Sequence, residues 1–228
     1  MMRNLLLLVF LQAGFMLSAQ EPERLEIGQV APDFSLMGID GRIYTLEDFQ
    51  KAQVLTIVFT ANHCPTAQAY EARMNALSSD YKPEEMLLVA ISSNHPAAVC
   101  LEELGYSDMG DSFEEMKLRA SDRAYAFPYL YDGEEQQVAL AYGAQATPHV
   151  FIFDRDRKLR YSGRIDDTED PYRTPSQSDA RNAIDALLQD KPVPVEITRA
   201  FGCSMKWKSK QDWKRTLDER WKEKPVEL

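Results

Sequence analysis

Residues 54–73, VLTIVFTANHCPTAQAYEAR, constrain the fold more than any other stretch of this chain. Residues 54–59 form a continuous apolar, β-branched run, the pattern of a strand buried on both faces. From Pro65 onward the stretch reads as a helix, and between the two stands Ala61-Asn62-His63-Cys64. Proline suits the first helical position, where no N–H is needed and its fixed φ fits the turn, so Cys64 is expected as the N-cap. A thiol at that place faces unpaired backbone N–H groups and the positive end of the helix dipole, and both favour thiolate. The stretch therefore predicts a nucleophilic sulfur at a strand-to-helix junction. His63 beside it adds positive charge if it is protonated and faces the sulfur; it can equally point into solvent. The plainer alternative for Cys64 is a small buried hydrophobe without chemistry.

A second apolar run at 86–91 makes the order strand-helix-strand, which implies parallel strands joined by a right-handed crossover. Ahead of the cysteine, Phe34 and Leu36, a glycine-bearing loop at 38–41 and Ile43 predict a hairpin, and Thr45 to Asp48 a single capped helical turn. Beyond 86–91, a helix is expected after Asp111-Ser112, a short strand at 127–132 and a helix over 134–142 stopped by Gly143. Then come Thr147-Pro148, a strand at 150–153, an antiparallel strand at 159–165 and a helix over 176–188. The intervening 92–110 is long for a loop; it carries Cys100 and a short helix is expected over 97–104.

The strand, the Cys-Pro, the helix and the much later Ala146-Thr147-Pro148-His149 together resemble the thioredoxin-like superfamily, and within it the peroxiredoxin-like redoxin branch related to alkyl hydroperoxide reductase and thiol-specific antioxidant proteins. The likeness covers about residues 25–191, including Ala31-Pro32-Asp33-Phe34, 59–65, 127–132 and 163–167; Gly202-Cys203 and the residues up to Lys208 resemble the tail of that branch. The resemblance implies an α/β fold: a thioredoxin-like central mixed sheet flanked by helices, with an N-terminal β-hairpin and a C-terminal extension. It also implies a cis peptide bond before Pro148 and a loop, Thr147-Pro148, that faces Cys64 and binds substrate together with His63. His149 reads as a packing residue.

The motif is incomplete in two ways. Members of the branch carry Cys-Asn-His-Cys where this chain has Ala61 first, and the thioredoxin register ends in Ala67, so no disulfide closes within the loop. The peroxiredoxin pattern also places threonine where Ala61 stands; Thr60 is one residue away and so on the other face of a strand. The expected function is that of a thiol-based oxidoreductase with Cys64 as attacking sulfur, acting on disulfides or hydroperoxides, with Cys203 as a candidate resolving thiol. The competing reading is a non-enzymatic peptide-binding or scaffold module.

Residues 1–19 have a basic start at Arg3, an apolar run and small residues at Ser18-Ala19, the pattern of a signal peptide cut after Ala19. Export to a periplasmic or extracellular space follows, where Cys64, Cys100 and Cys203 could make at most one internal disulfide, in any of three pairings. The organisation expected is a leader over 1–19, a redoxin domain over 25–191 and an extension over 192–228. A formal charge of -10 argues against nucleic acid as a partner. The extension alternates Lys and Trp, but its interspersed acids favour packing on the domain over membrane contact. Neither the acidic run at 166–170, read as a solvated loop, nor the scattered histidines have metal-ligand spacing, and no cofactor or metal is expected. Partners are protein or small-molecule thiols, disulfides and hydroperoxides; oligomeric state is open.

Overall fold

A computed structural model describes residues 23–100, 107 and 109–210. Its organising strand is β3 (Val54–Thr60), in which every residue is buried. Alternation along the strand sends Val54 and Val58 into one hydrophobic layer and Leu55, Ile57 and Phe59 into the other. Each of those large side chains contributes about 1.5–3 kcal/mol by leaving water. Truncating Phe59, which is packed edge-on to Phe151, to alanine would cost about 3–5 kcal/mol.

Around β3 the sheet is built from β1 (Ser35–Gly38), β2 (Ile43–Thr45), β4 (Met86–Ser92), β5 (Tyr129–Tyr131), β7 (His149–Phe153) and β8 (Leu159–Gly163). Its order is β2-β1-β5-β4-β3-β7-β8. The pairs β3/β4 and β4/β5 are parallel and the rest antiparallel, giving the mixed sheet expected. A separate two-stranded piece joins β6 (Ala146–Thr147) to β9 (Cys203–Ser204). β1 and β2 are the predicted hairpin, and Thr45 and Asp48 make the capping box of the turn Leu46–Phe49.

One face carries α1 (Pro65–Ser79), α2 (Phe113–Asp122) and α4 (Asp179–Leu188), and the other carries α3 (Gln137–Tyr142). Helix α1 buries Ala67, Tyr70, Met74 and Leu77 at helical spacing. Its buried Glu71 accepts from Arg119 of α2 at 2.6 and 3.1 Å and from the Tyr125 hydroxyl at 2.9 Å.

Several boundaries depart from the sequence reading. Helix α3 starts three residues late because Gln136 takes a left-handed φ of 56°. Its first N–H groups are satisfied at a distance, by the Asp132 carboxylate, which accepts from Val138 at 3.2 Å and Ala139 at 2.9 Å. Strand β8 ends at Gly163, where Thr198 lies so close that its hydroxyl sits 2.0 Å from the position a Cβ would take. Helix α4 begins at Asp179 rather than 176. The acidic run is not simply a solvated loop: Asp166 is buried and takes Arg73 at 2.9 Å and the Tyr70 hydroxyl at 3.2 Å. Of the helix expected over 97–104, only the turn Pro96–Ala98 is described; residues 101–106 lie outside the described residues, as do the expected leader and Trp213 and Trp221. Trp207 is half-buried against the layer containing Phe59, Phe151 and Met205. No helix among the described residues is long and apolar enough to cross a membrane.

Candidate active site

Cys64 is the N-cap of α1, with φ −75° and ψ 116°, and Pro65 follows at the first helical position. Its sulfur accepts the N–H of Ala67, the third helical residue, at 3.4 Å, satisfying one of the orphan donors of the helix end. Opposite lies the loop of Thr147 and Pro148, whose joining peptide bond is cis. As a thiol, Cys64 donates to the Thr147 carbonyl at 3.1 Å.

The third component comes from the far end of the described chain. Strand β9 lies antiparallel on β6, with Cys203 in register with Thr147 and Ser204 with Ala146. Gly202 permits this approach: its φ is +146°, and a Cβ there would stand 2.1 Å from the Thr147 carbonyl oxygen. Cys203 thereby packs on the small apolar cluster of Ala61, Cys64 and Ala67, and its side chain hydrogen-bonds the Cys64 sulfur. The two alanines that break the usual motif therefore form the walls around the sulfur. The three cysteines are not in disulfides, and Cys100, at the margin of the described residues, is half-buried.

The Cys203 hydrogen bond is the largest influence on Cys64 and acts to lower its pKa; burial opposes it, and bonds from the Thr147 side chain and the Ala67 N–H add to the lowering. The balance brings the thiol from 9.0 down to about 6, so thiolate predominates at neutral pH. Cys64 is nonetheless 0% exposed. Cys203, packed against the Cys64 cluster, remains partly exposed at the edge of a 660 Å³ cleft between the 167–169 loop and residues 199–203.

His63 neither faces solvent nor stands beside an open substrate position. It is 1% exposed, with Nδ1 2.6 Å from an Asp111 carboxylate oxygen. Burial acts to lower its pKa, but the Asp111 hydrogen bond and charge, with a contribution from Cys64, raise it overall. Asp111 also accepts the backbone N–H groups of Asn62 at 2.7 Å and His63 at 3.1 Å, and the Asn94 amide at 2.8 Å. Asn94 in turn accepts the backbone N–H of Lys206 at 2.9 Å, and Gln136 donates to the Lys206 carbonyl at 2.9 Å. One buried polar network thus holds both the loop before Cys64 and the segment after Cys203. In the sequence Asp111 stands out only as a cap residue, Lys206 only as part of the basic tail and Asn94 not at all, since no spacing links residues 48 apart (His63 to Asp111).

His149 packs as expected: its ring lies 4.4 Å from that of Phe151, and burial lowers its pKa to about 4. No group of three or more His, Cys, Asp or Glu side chains able to hold a metal ion occurs among the described residues.

Among solved structures, an uncharacterized conserved protein from Geobacillus kaustophilus is 40% identical, with a TM-score of 0.70 covering 81% of this chain and 93% of that one. A hypothetical protein from Sinorhizobium meliloti 1021 is 32% identical, with a TM-score of 0.72 covering 82% and 97%. The thiol-disulfide oxidoreductase ResA of Geobacillus thermodenitrificans is 26% identical over 163 residues, 70% of this chain and 83% of that protein. Residues 27–162, which hold the sheet, the Cys64 helix and the cis-proline loop, match the model of the AhpC/TSA family, and the chain belongs to that family.

Proposed function

We propose that this protein is a thiol–disulfide oxidoreductase whose working pair is Cys64 and Cys203, cycling between dithiol and disulfide in exchange with external thiols and disulfides. One observation carries the reading: the Cys203 side chain hydrogen-bonds a Cys64 sulfur whose pKa is lowered to about 6. A low-pKa thiolate beside a second thiol is the arrangement disulfide exchange requires. The pair does without the missing motif cysteine, because the tail delivers its sulfur from outside the loop. Thr147 and Pro148 position that tail, as the edge on which Cys203 lies. The leader-like residues 1–19 support export, to a compartment where such a pair forms disulfides.

Hydroperoxide reduction is the weaker reading, because Ala61 puts no hydroxyl in the wall beside Cys64. A peptide-binding scaffold would need the β6 edge open, and β9 occupies it. The test is an insulin-type disulfide reduction assay beside a hydrogen peroxide consumption assay. Cys64→Ser should lose the first activity; unchanged activity of Cys64→Ser in both would reject the enzyme.

A further inference from the structure

Cys64 has the lowered pKa but no surface, while Cys203 has surface. In a thiol–disulfide exchange the sulfur attacked is set by access, and the bond breaks most readily when the departing sulfur has the lower pKa. Both criteria select the same sulfur here. Cys203 lines the 660 Å³ cleft whose rim includes Thr66, Asp167, Glu169 and Arg199, and Cys64 is not among its lining residues. The β6 edge beside Cys64 is likewise closed to a partner chain, because it is paired to β9 in register.

We propose that external thiols exchange with this protein through Cys203, and that Cys64 is the sulfur expelled. This inference rests on the Cys64–Cys203 pair put forward above. In the first step an external thiolate RS⁻ attacks the Cys203 sulfur of the Cys64–Cys203 disulfide. The R–S–Cys203 bond forms, the bond between the two protein sulfurs breaks, and its electron pair leaves on Cys64 as thiolate. A second thiolate then attacks the R sulfur, releasing R–S–S–R and leaving Cys203 to take a proton from solvent. Two external thiols are oxidised to one disulfide and the protein disulfide is reduced. In the reverse direction an external disulfide is opened by Cys203, and Cys64 closes the protein disulfide. The sulfur that holds the negative charge is therefore not the one that meets the substrate, and the tail is a catalytic element rather than a cover.

The test uses the full chain oxidised with diamide, its disulfide confirmed by non-reducing peptide mapping. Limiting 2-mercaptoethanol, a neutral probe chosen so that the charged rim does not bias approach, is added and the reaction quenched in acid. The mercaptoethanol adduct should be found on Cys203 in about tenfold or greater excess over Cys64. Adduct mainly on Cys64 overturns the inference and leaves the redox pair intact. Failure to form the Cys64–Cys203 disulfide overturns both. As a second measurement, reduced Cys64→Ser should react with 2,2′-dithiodipyridine, at Cys203, about tenfold faster than reduced Cys203→Ser reacts at Cys64. Equal or reversed rates overturn the inference.

Discussion

Removing the Cys203 hydrogen bond should raise the Cys64 pKa by a predictable amount. That bond is the largest influence lowering it from 9.0 to about 6. Hydrogen bonds to a charged group are worth about 1.5–3 kcal/mol, and one pKa unit corresponds to about 1.4 kcal/mol, so its loss amounts to about 1–2 units. In Cys203→Ala the Cys64 pKa should therefore rise to between about 7 and 8, and the thiolate fraction at neutral pH should fall from about nine-tenths to between about one-half and one-tenth. Cys203→Ser is the control: it has nearly the same bulk, keeps β9 over the sulfur and retains a hydroxyl donor, so its pKa should stay near that of the parent. Ultraviolet thiolate absorbance against pH, with Cys100→Ser in every variant to remove its signal, reads both. Alanine and serine variants with the same Cys64 pKa would show that burial geometry, and not the Cys203 donor, sets the charge.

Further predictions concern the surroundings of the sulfur. Gly202→Ala places a Cβ 2.1 Å from the Thr147 carbonyl oxygen; the tail strand should lift, and Cys64 alkylation by iodoacetamide should speed up about tenfold while the fold persists. Unchanged protection would mean that β9 does not cover the sulfur. Asp111→Ala leaves His63 buried without its partner, and urea unfolding at mildly acidic pH should show a loss of about 3–5 kcal/mol. Because the folded His63 pKa is raised, the stability supplied by this pair is fully present below the unfolded histidine pKa and declines as pH rises through the folded value. His149 has the opposite sign: its pKa is lowered from 6.5 to about 4. Unfolded chains take up that proton first, so about 3 kcal/mol of stability present at neutral pH is lost as pH falls from about 6.5 to 4. His149→Gln should flatten that limb of a pH–urea profile.

Local chemistry made part of this molecule readable before any coordinates. The apolar run at 54–59, the proline after Cys64, the capping pair Thr45–Asp48 and the cap at Ser112 all depend on neighbours within a few residues, and the strand, α1 and both caps stand where expected. Helix α3 shows where such reading stops: Glu134 to Gln136 have helical composition, yet the cap that fixes the start is Asp132, which accepts from the N–H groups of residues 138 and 139.

The sequence by itself determined that a thiol would stand at a helix N-terminus, because backbone geometry and proline sterics act over a single turn; that a proline loop would face it followed only from the family resemblance. It named Cys203 as one of several sulfurs that could meet Cys64 but could not choose among them. Only the tertiary structure decided that Cys203 lies on Thr147, that Cys64 has no surface of its own, and that His63 is bound to Asp111. The physical reason is that burial and hydrogen-bond partnership are set by what the far chain brings into contact, and that information is carried by the packing of the whole sheet.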